Sequence, residues 1–249
     1  MFTGKVYSLR QMIRWTRFET LLFIFVISIW VSAYFFLNLE WLRIPWTPMA
    51  LIGTAVSFVI GFQNNAVYGR IWEARKIWGG IVNTSRTLGV FVQDMLTEEH
   101  IDAKNPSTDI PLAIRTITYR HIAWMTALRH AMRSSRSWET TGKHRTNREW
   151  GIRSPEEISD LQTDLSAYLS DQDLNYALSK SNVQTAILYL QSHHLRDLKE
   201  KGVIWEFSFL ELEGIIQELL TLQGQTERIK NFPYPRQYAT LNHYFMWLL

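Results

Sequence analysis

The sequence predicts an all-α protein in which a membrane-crossing helical hairpin runs on into a helical bundle in water. Three observations carry this. Two long uncharged runs lie near the N-terminus, over residues 20–39 and 44–69. Beyond Gly69 the apolar residues recur at helical spacing and show no strand-like alternation. The mean hydropathy of −0.11 suits neither a wholly soluble nor a wholly embedded chain, because it averages an apolar end and a polar middle.

Residues 1–19 carry Lys5, Arg10, Arg14 and Arg17, and the first uncharged run follows. A secretory signal peptide is the competing reading. It fails on the length of the run and on Tyr34-Phe35-Phe36, which stand where cleavage needs small residues. The run is therefore read as the first membrane helix. Trp15, Trp41 and Trp46 flank the apolar runs as an interfacial belt does. The connection to the second run is short and holds one acid, Glu40, and one base, Arg43. The basic N-terminus and the basic run Arg70, Arg75 and Lys76 lie on the opposite side. The positive-inside rule puts both ends of this hairpin in the cytoplasm.

The second run spans 26 positions from Ile44 to Gly69. As a helix it is about 39 Å long, enough to cross a hydrocarbon core of about 30 Å. The helix is expected to continue to about Leu96. One row along it is small, Gly53, Ser57 and Gly61, which lets neighbouring membrane helices approach closely. The next row is Thr54, Phe58 and Phe62. Aromatic rings arranged around an axis form a hydrophobic constriction. Periodicity alone favours the plainer reading, in which both rings face lipid or a partner helix.

The wording of this stretch adds to that reading. Ser57-Phe58-Val59-Ile60-Gly61-Phe62, followed by Arg70 and Trp72, resembles the second membrane helix of the bestrophin family. The continuation from Gln63 to Arg75 resembles the bacterial branch. The resemblance implies a pentameric ion channel whose neck is lined by this helix, with the three neck positions at Thr54, Phe58 and Phe62. Thr54 is polar where the family usually has an aliphatic residue, which implies a wider and wetter end of the neck. A second constriction, carried over by position, falls near Gln237, again polar where the family is aliphatic. Animal bestrophins pass chloride and bacterial relatives include cation-selective members, so the resemblance leaves the sign of the ion open.

The polar middle reads as helix after helix. A loop over residues 97–107 follows the second helix, and its acidic part, Glu98 to Asp102, reads as a solvated loop ahead of a cation site. Asp109 caps a helix to about Ser135 with Ile114, Ile117, Ile122, Trp124, Leu128 and Met132 as its buried stripe. Residues 136–154 read as an exposed polar loop. Ser154-Pro155-Glu156-Glu157 restarts a helix by a capping box. The same device at Ser181 and Gln184 opens a helix that stops at Gly202, and at Ser208 and Glu211 one that runs to about Lys230. This divides the chain into residues 1–68 with two membrane helices, 69–231 as a cytosolic helical domain, and 232–249.

Catalytic and metal-binding patterns are thin. With no cysteine, disulfides, thiolate zinc sites and cysteine nucleophiles are excluded. A net charge of +3 is too small to argue for nucleic acid and fits the positive-inside bias. No phosphate-loop, dinucleotide or nucleophile-elbow pattern occurs, so an enzyme is not expected and neither is a cofactor. His193 and Asp197, four apart beside His194, read as a surface ion pair ahead of a metal site. Gly79-Gly80 reads as close packing against a neighbouring helix.

Pro233 and Pro235 break the last long helix, and residues 237–249 turn apolar but are too few to span. They read as the start of a third membrane helix. The resemblance implies two further membrane helices and an acidic calcium-binding segment beyond this point, so calcium is left open here. The reading is thus an inner-membrane channel that assembles with its own copies, passes monovalent ions and touches lipid. A chain with one candidate pore helix needs several copies around an axis. The rival is a membrane-anchored signalling or scaffold protein. Gln63-Asn64-Asn65, three amides beyond the apolar segment, suit a hydrated pore better than a lipid-facing anchor.

Overall fold

A computed structural model describes residues 7–97, 109–139, 145, 149, 155–232, 235, 237–240 and 244. The main helices are α1 (Leu9–Phe36), α2 (Trp46–Met95), α3 (Ile110–Arg133), α4 (Leu161–Ser166), α5 (Asp171–Leu178), α6 (Val183–Glu200) and α7 (Glu206–Asn231). Short 3₁₀ turns occupy Glu40–Leu42 and Pro155–Glu157. The pairing of Leu96 with Ile204 is an isolated bridge, and no strand is formed among the described residues. The acidic loop from Glu98 to Asp102 lies outside the described residues.

By contact density the chain divides into two compact units. The first comprises residues 1–63, 140–151 and 235–249, and the second residues 64–139 and 152–234.

In the first unit, α1 starts well before the uncharged run. The Ser8 hydroxyl accepts from the Gln11 N–H, and the Gln11 side chain accepts from the Ser8 N–H. This capping box extends the helix over Arg10, Arg14 and Arg17. Asn38, at φ 49°, ends it in the left-handed region that asparagine tolerates. No residue of α1 is buried within the chain. Arg17 pairs with Glu149, and the Arg145 guanidinium lies 4.0 Å over the Phe18 ring.

α2 is a single helix of 50 residues. Pro48 sits in its first turn, where a missing N–H costs nothing. From Asn64 onward it belongs to the second unit, where Ile77, Ile81, Leu88 and Val92 form its buried stripe. They join a core built from α3, α6 and α7, with Ile117, Trp124, Leu128, Ile187, Leu195, Leu212 and Leu219 all essentially sealed from solvent. Of the stripe expected on α3, Ile117, Trp124 and Leu128 are buried, whereas Ile114, Ile122 and Met132 are half-buried. The Trp124 indole donates to Gln223 Oε1 at 2.9 Å, so the largest core side chain brings its polar atom in with a partner. Gln223 in turn donates to Thr185 and Glu227.

Asp109 caps α3 as expected, accepting from the Leu112 N–H. Two other caps differ, and the capping box expected at Ser154 lies outside the described residues. Pro155 opens only a three-residue 3₁₀ turn, and the chain restarts at Asp160, whose carboxylate caps α4. Asn182, not Ser181, caps α6, because its amide oxygen accepts from Thr185. Ser208 lies inside α7, which begins at Glu206 with Trp205 at its cap position and no side-chain cap bond. The short helix α5, capped by Ser170, is an addition to the elements the sequence pattern predicts. Gly202 ends α6 at φ 77°, as a left-handed stop requires.

His121 on α3 is buried. Its Nε2 lies 2.9 Å from the Ser85 hydroxyl, its Nδ1 has no partner, and burial lowers its pKa to about 4. The folded state therefore resists protonation. Between pH 6.5 and about 4 the unfolded chain takes up the proton first, so stability falls as pH drops through that window. The loss is at most about 1.4 kcal/mol per pH unit. Thermal unfolding followed from about pH 7.5 to about 4.5 should show a falling midpoint, with a flatter profile for His121→Gln. Parallel profiles would remove His121 as the cause. Asp164, held below the usual carboxylate range first by its hydrogen bond with His130, acts only at lower pH.

Candidate pore helix

The candidate site is the apolar first half of α2. Its hydroxyls are turned inward on the helix itself. Thr54 Oγ1 donates to the Ala50 carbonyl at 2.8 Å and Ser57 Oγ to the Gly53 carbonyl at 2.8 Å. This back-bonding hides the polar hydrogen of both side chains, which is how Ser and Thr sit comfortably in apolar helices. At 1.5 Å per residue, Thr54, Phe58 and Phe62 lie about 6 Å apart along one drifting row.

That row is bare within the chain. Phe58 is 66% and Phe62 72% exposed, and Thr54 is exposed too. The small row is equally uncovered: a side-chain carbon added at Gly53 or Gly61 would meet no atom within 4 Å. Nothing among the described residues of one chain requires those positions to be small. Of the residues from Leu51 to Gly69 only Val56 is buried. So much uncovered apolar surface is tolerable only against lipid or against other protein. Asn64 and Asn65 are exposed and Gln63 is half-exposed.

Gln237 lies exposed on a helical turn over residues 237–240. Gly80 packs closely, as its place in the sequence suggests: a carbon added there would stand 2.9 Å from Leu222 Cδ2, so α2 lies tight against α7 at that point. Gly79 meets nothing. The expected pair between His193 and Asp197 does not form. His193 Nε2 lies 2.9 Å from the Tyr189 hydroxyl and its Nδ1 3.0 Å from Arg196, while Asp197 stands 3.7 Å from Arg196. The Arg196 side chain intervenes because it sits three residues from one and beside the other. Among the described residues no three metal-ligating side chains gather. Sequence reasoning gives Arg70 a topological role and a place in the family resemblance but no partner, whereas its guanidinium reaches the end of α7. The one signal of more is its place as the first charge after the uncharged run.

Among the described residues two helices, α1 and the α2 element, are long and apolar enough to cross a membrane. The profile of the bacterial and fungal bestrophin proteins matches residues 4–249. The chain belongs to the bestrophin family. It is a membrane protein. It is 24% identical over 201 residues to the voltage-dependent anion channel-forming protein YneE of Escherichia coli K12, a match that covers 81% of this chain and 54% of that one. To the voltage-dependent anion channel-forming protein RSc3414 of Ralstonia nicotianae it is 26% identical over 227 residues, 90% of this chain and 62% of the relative. It thus spans between half and two thirds of the length of these relatives. The crystal structure of a bacterial bestrophin homolog from Klebsiella pneumoniae, solved by zinc phasing, shares its fold. The TM-score is 0.73 at 23% identity, covering 93% of this chain and 73% of that one. A point variant of the same homolog gives 0.72 over the same shares.

Proposed function

We propose that this bestrophin chain builds an ion channel, with copies of α2 arranged around an axis so that Thr54, Phe58 and Phe62 line its neck. The observation that carries the reading is the bare double row on α2. A small face and an aromatic face lie side by side on one uncharged helix, and neither is covered within the chain. Copies around an axis bury the first and expose the second to a pore. A closed ring is the economical way to satisfy every copy equally, and five copies follow from the family resemblance. Permeation is passive, with no chemical step and no cofactor. The relatives' names favour anions, and the family resemblance favours small monovalent ions. The resemblance to the bacterial branch favours the bacterial inner membrane, and the basic residues favour the cytoplasmic side for the N-terminus and the domain over residues 69–231.

Planar-bilayer recording of the purified protein tests this. Discrete unitary currents are expected, and the reversal potential in asymmetric potassium chloride gives the sign of the ion. A protein that runs as a stable monomer and carries no current would end the reading in favour of a membrane-anchored scaffold.

Assembly has its own test. Gly61→Leu adds a side chain on the small row and forces neighbouring backbones apart. A loss of assembled protein, read by light scattering in detergent, is expected together with normal helix content. Full assembly of this variant would show that copies do not meet along the small row.

A further inference from the structure

Arg70 is the first charged residue after the uncharged run of α2. At such a position an arginine ordinarily reaches for the membrane surface. Here its Nη2 instead donates to two backbone carbonyls at the end of α7, Ile229 at 2.9 Å and Phe232 at 2.8 Å. Helix ends leave carbonyls without partners, and the negative end of the helix dipole favours a cation there. Arg70 is thus a side-chain cap for α7 supplied from α2. One turn further along the same face, Glu73 accepts from Arg228 of α7 at 2.5 Å. The two interactions are reciprocal. α2 offers a cation to the α7 terminus and an anion to the α7 side chain.

We infer that Arg70 and Glu73 form a two-point latch that sets the axial register of the pore helix against α7 and so governs how long the channel stays in the state that has this register. This rests on the channel reading above. One residue of α2 is 1.5 Å of rise, and a slide of one residue carries both donors and acceptors out of hydrogen-bond range. Phe62 stands eight residues before Arg70 on the same unbroken helix, about 12 Å along its axis. The latch must therefore open before the aromatic row can change height. Hydrogen bonds that fit only this register must break before the channel can leave it, so they lengthen the life of the state that has it.

The test uses the complete channel carrying Arg70→Gln, Arg70→Lys, Glu73→Arg, Arg228→Glu and the charge-swapped double variant. In planar bilayers, Arg70→Gln should shorten the dwell time of one of the two states about ten-fold, the scale of one charge-assisted bond, with the other dwell time and the unitary current unchanged. Arg70→Lys keeps a donor and should fall between. Each single charge reversal should shorten the same dwell time about two- to five-fold, as an exposed pair allows, and the swapped pair should restore it. Amide exchange is measured on the same proteins, independently of current. Arg70→Gln should lose protection over the last turn of α7. Unchanged dwell times, or swapped charges that fail to restore the shortened one, overturn the gating role. Unchanged protection overturns the latch. A wild-type protein that conducts nothing overturns the channel reading, while the exchange result still judges the latch itself.

Discussion

Replacing Phe58 and Phe62 together with alanine is expected to raise single-channel current and leave assembly intact. In the proposed neck, an ion passing two stacked aromatic rings would shed water against side chains that offer no hydrogen-bonding atom in return, and that cost would form the barrier. Removing both rings widens the neck and keeps it wet. The folded chain has little to lose, because both side chains are more than three-fifths exposed within it. If the rings were instead packed between copies, the same change would open cavities costing roughly 3–5 kcal/mol each. Current and assembled yield measured on one preparation separate the two. Unchanged current with a collapsed yield would take these residues out of the pore.

The second large effect lies in the helical unit over residues 64–139 and 152–234. Trp124→Ala removes a fully buried indole and leaves the carbonyl of Gln223 without its donor. A cavity of that size costs about 3–5 kcal/mol, and the orphaned buried acceptor adds about 1–3 kcal/mol. That sum is comparable with the whole stability of a typical domain, so little folded protein is expected. Trp124→Phe keeps most of the apolar area and isolates the hydrogen-bond loss, at about 2 kcal/mol. Denaturant unfolding of both variants checks the order. A Trp124→Ala protein that unfolds within about 1 kcal/mol of the wild type would show that the indole is not what closes this core.

Local chemistry explains why so much of the architecture is legible in the residues. The two apolar runs, the glycine stop after α6 and the Asp109 cap are written in neighbouring positions. The resemblance to the family rests on one continuous stretch of α2. The misplaced caps have a local cause too. Ser181 and Asn182 are adjacent acceptors, and one residue of phase decides which of them faces the free N–H groups of α6. Sequence pattern does not fix that phase, whereas packing of Ile187 and Leu195 into the core does.

Spacing along single helices, where residues three and four apart share a face, is enough to make three features of this chain plain. It is helical, two of its segments are uncharged for long enough to cross a membrane, and the second carries a small row beside an aromatic one. Packing alone settles which partners the polar groups find. Trp124 meets Gln223 across 99 positions of sequence, and Arg70 meets the Ile229 carbonyl across 159. No periodicity reaches that far, because such pairs depend on how whole helices settle against one another. Packing also leaves the aromatic row and the small row beside it bare within one chain. Apart from Val56, the buried stripe of α2 begins only at Ile77, so among the described residues the first half of the helix has no core to lie against.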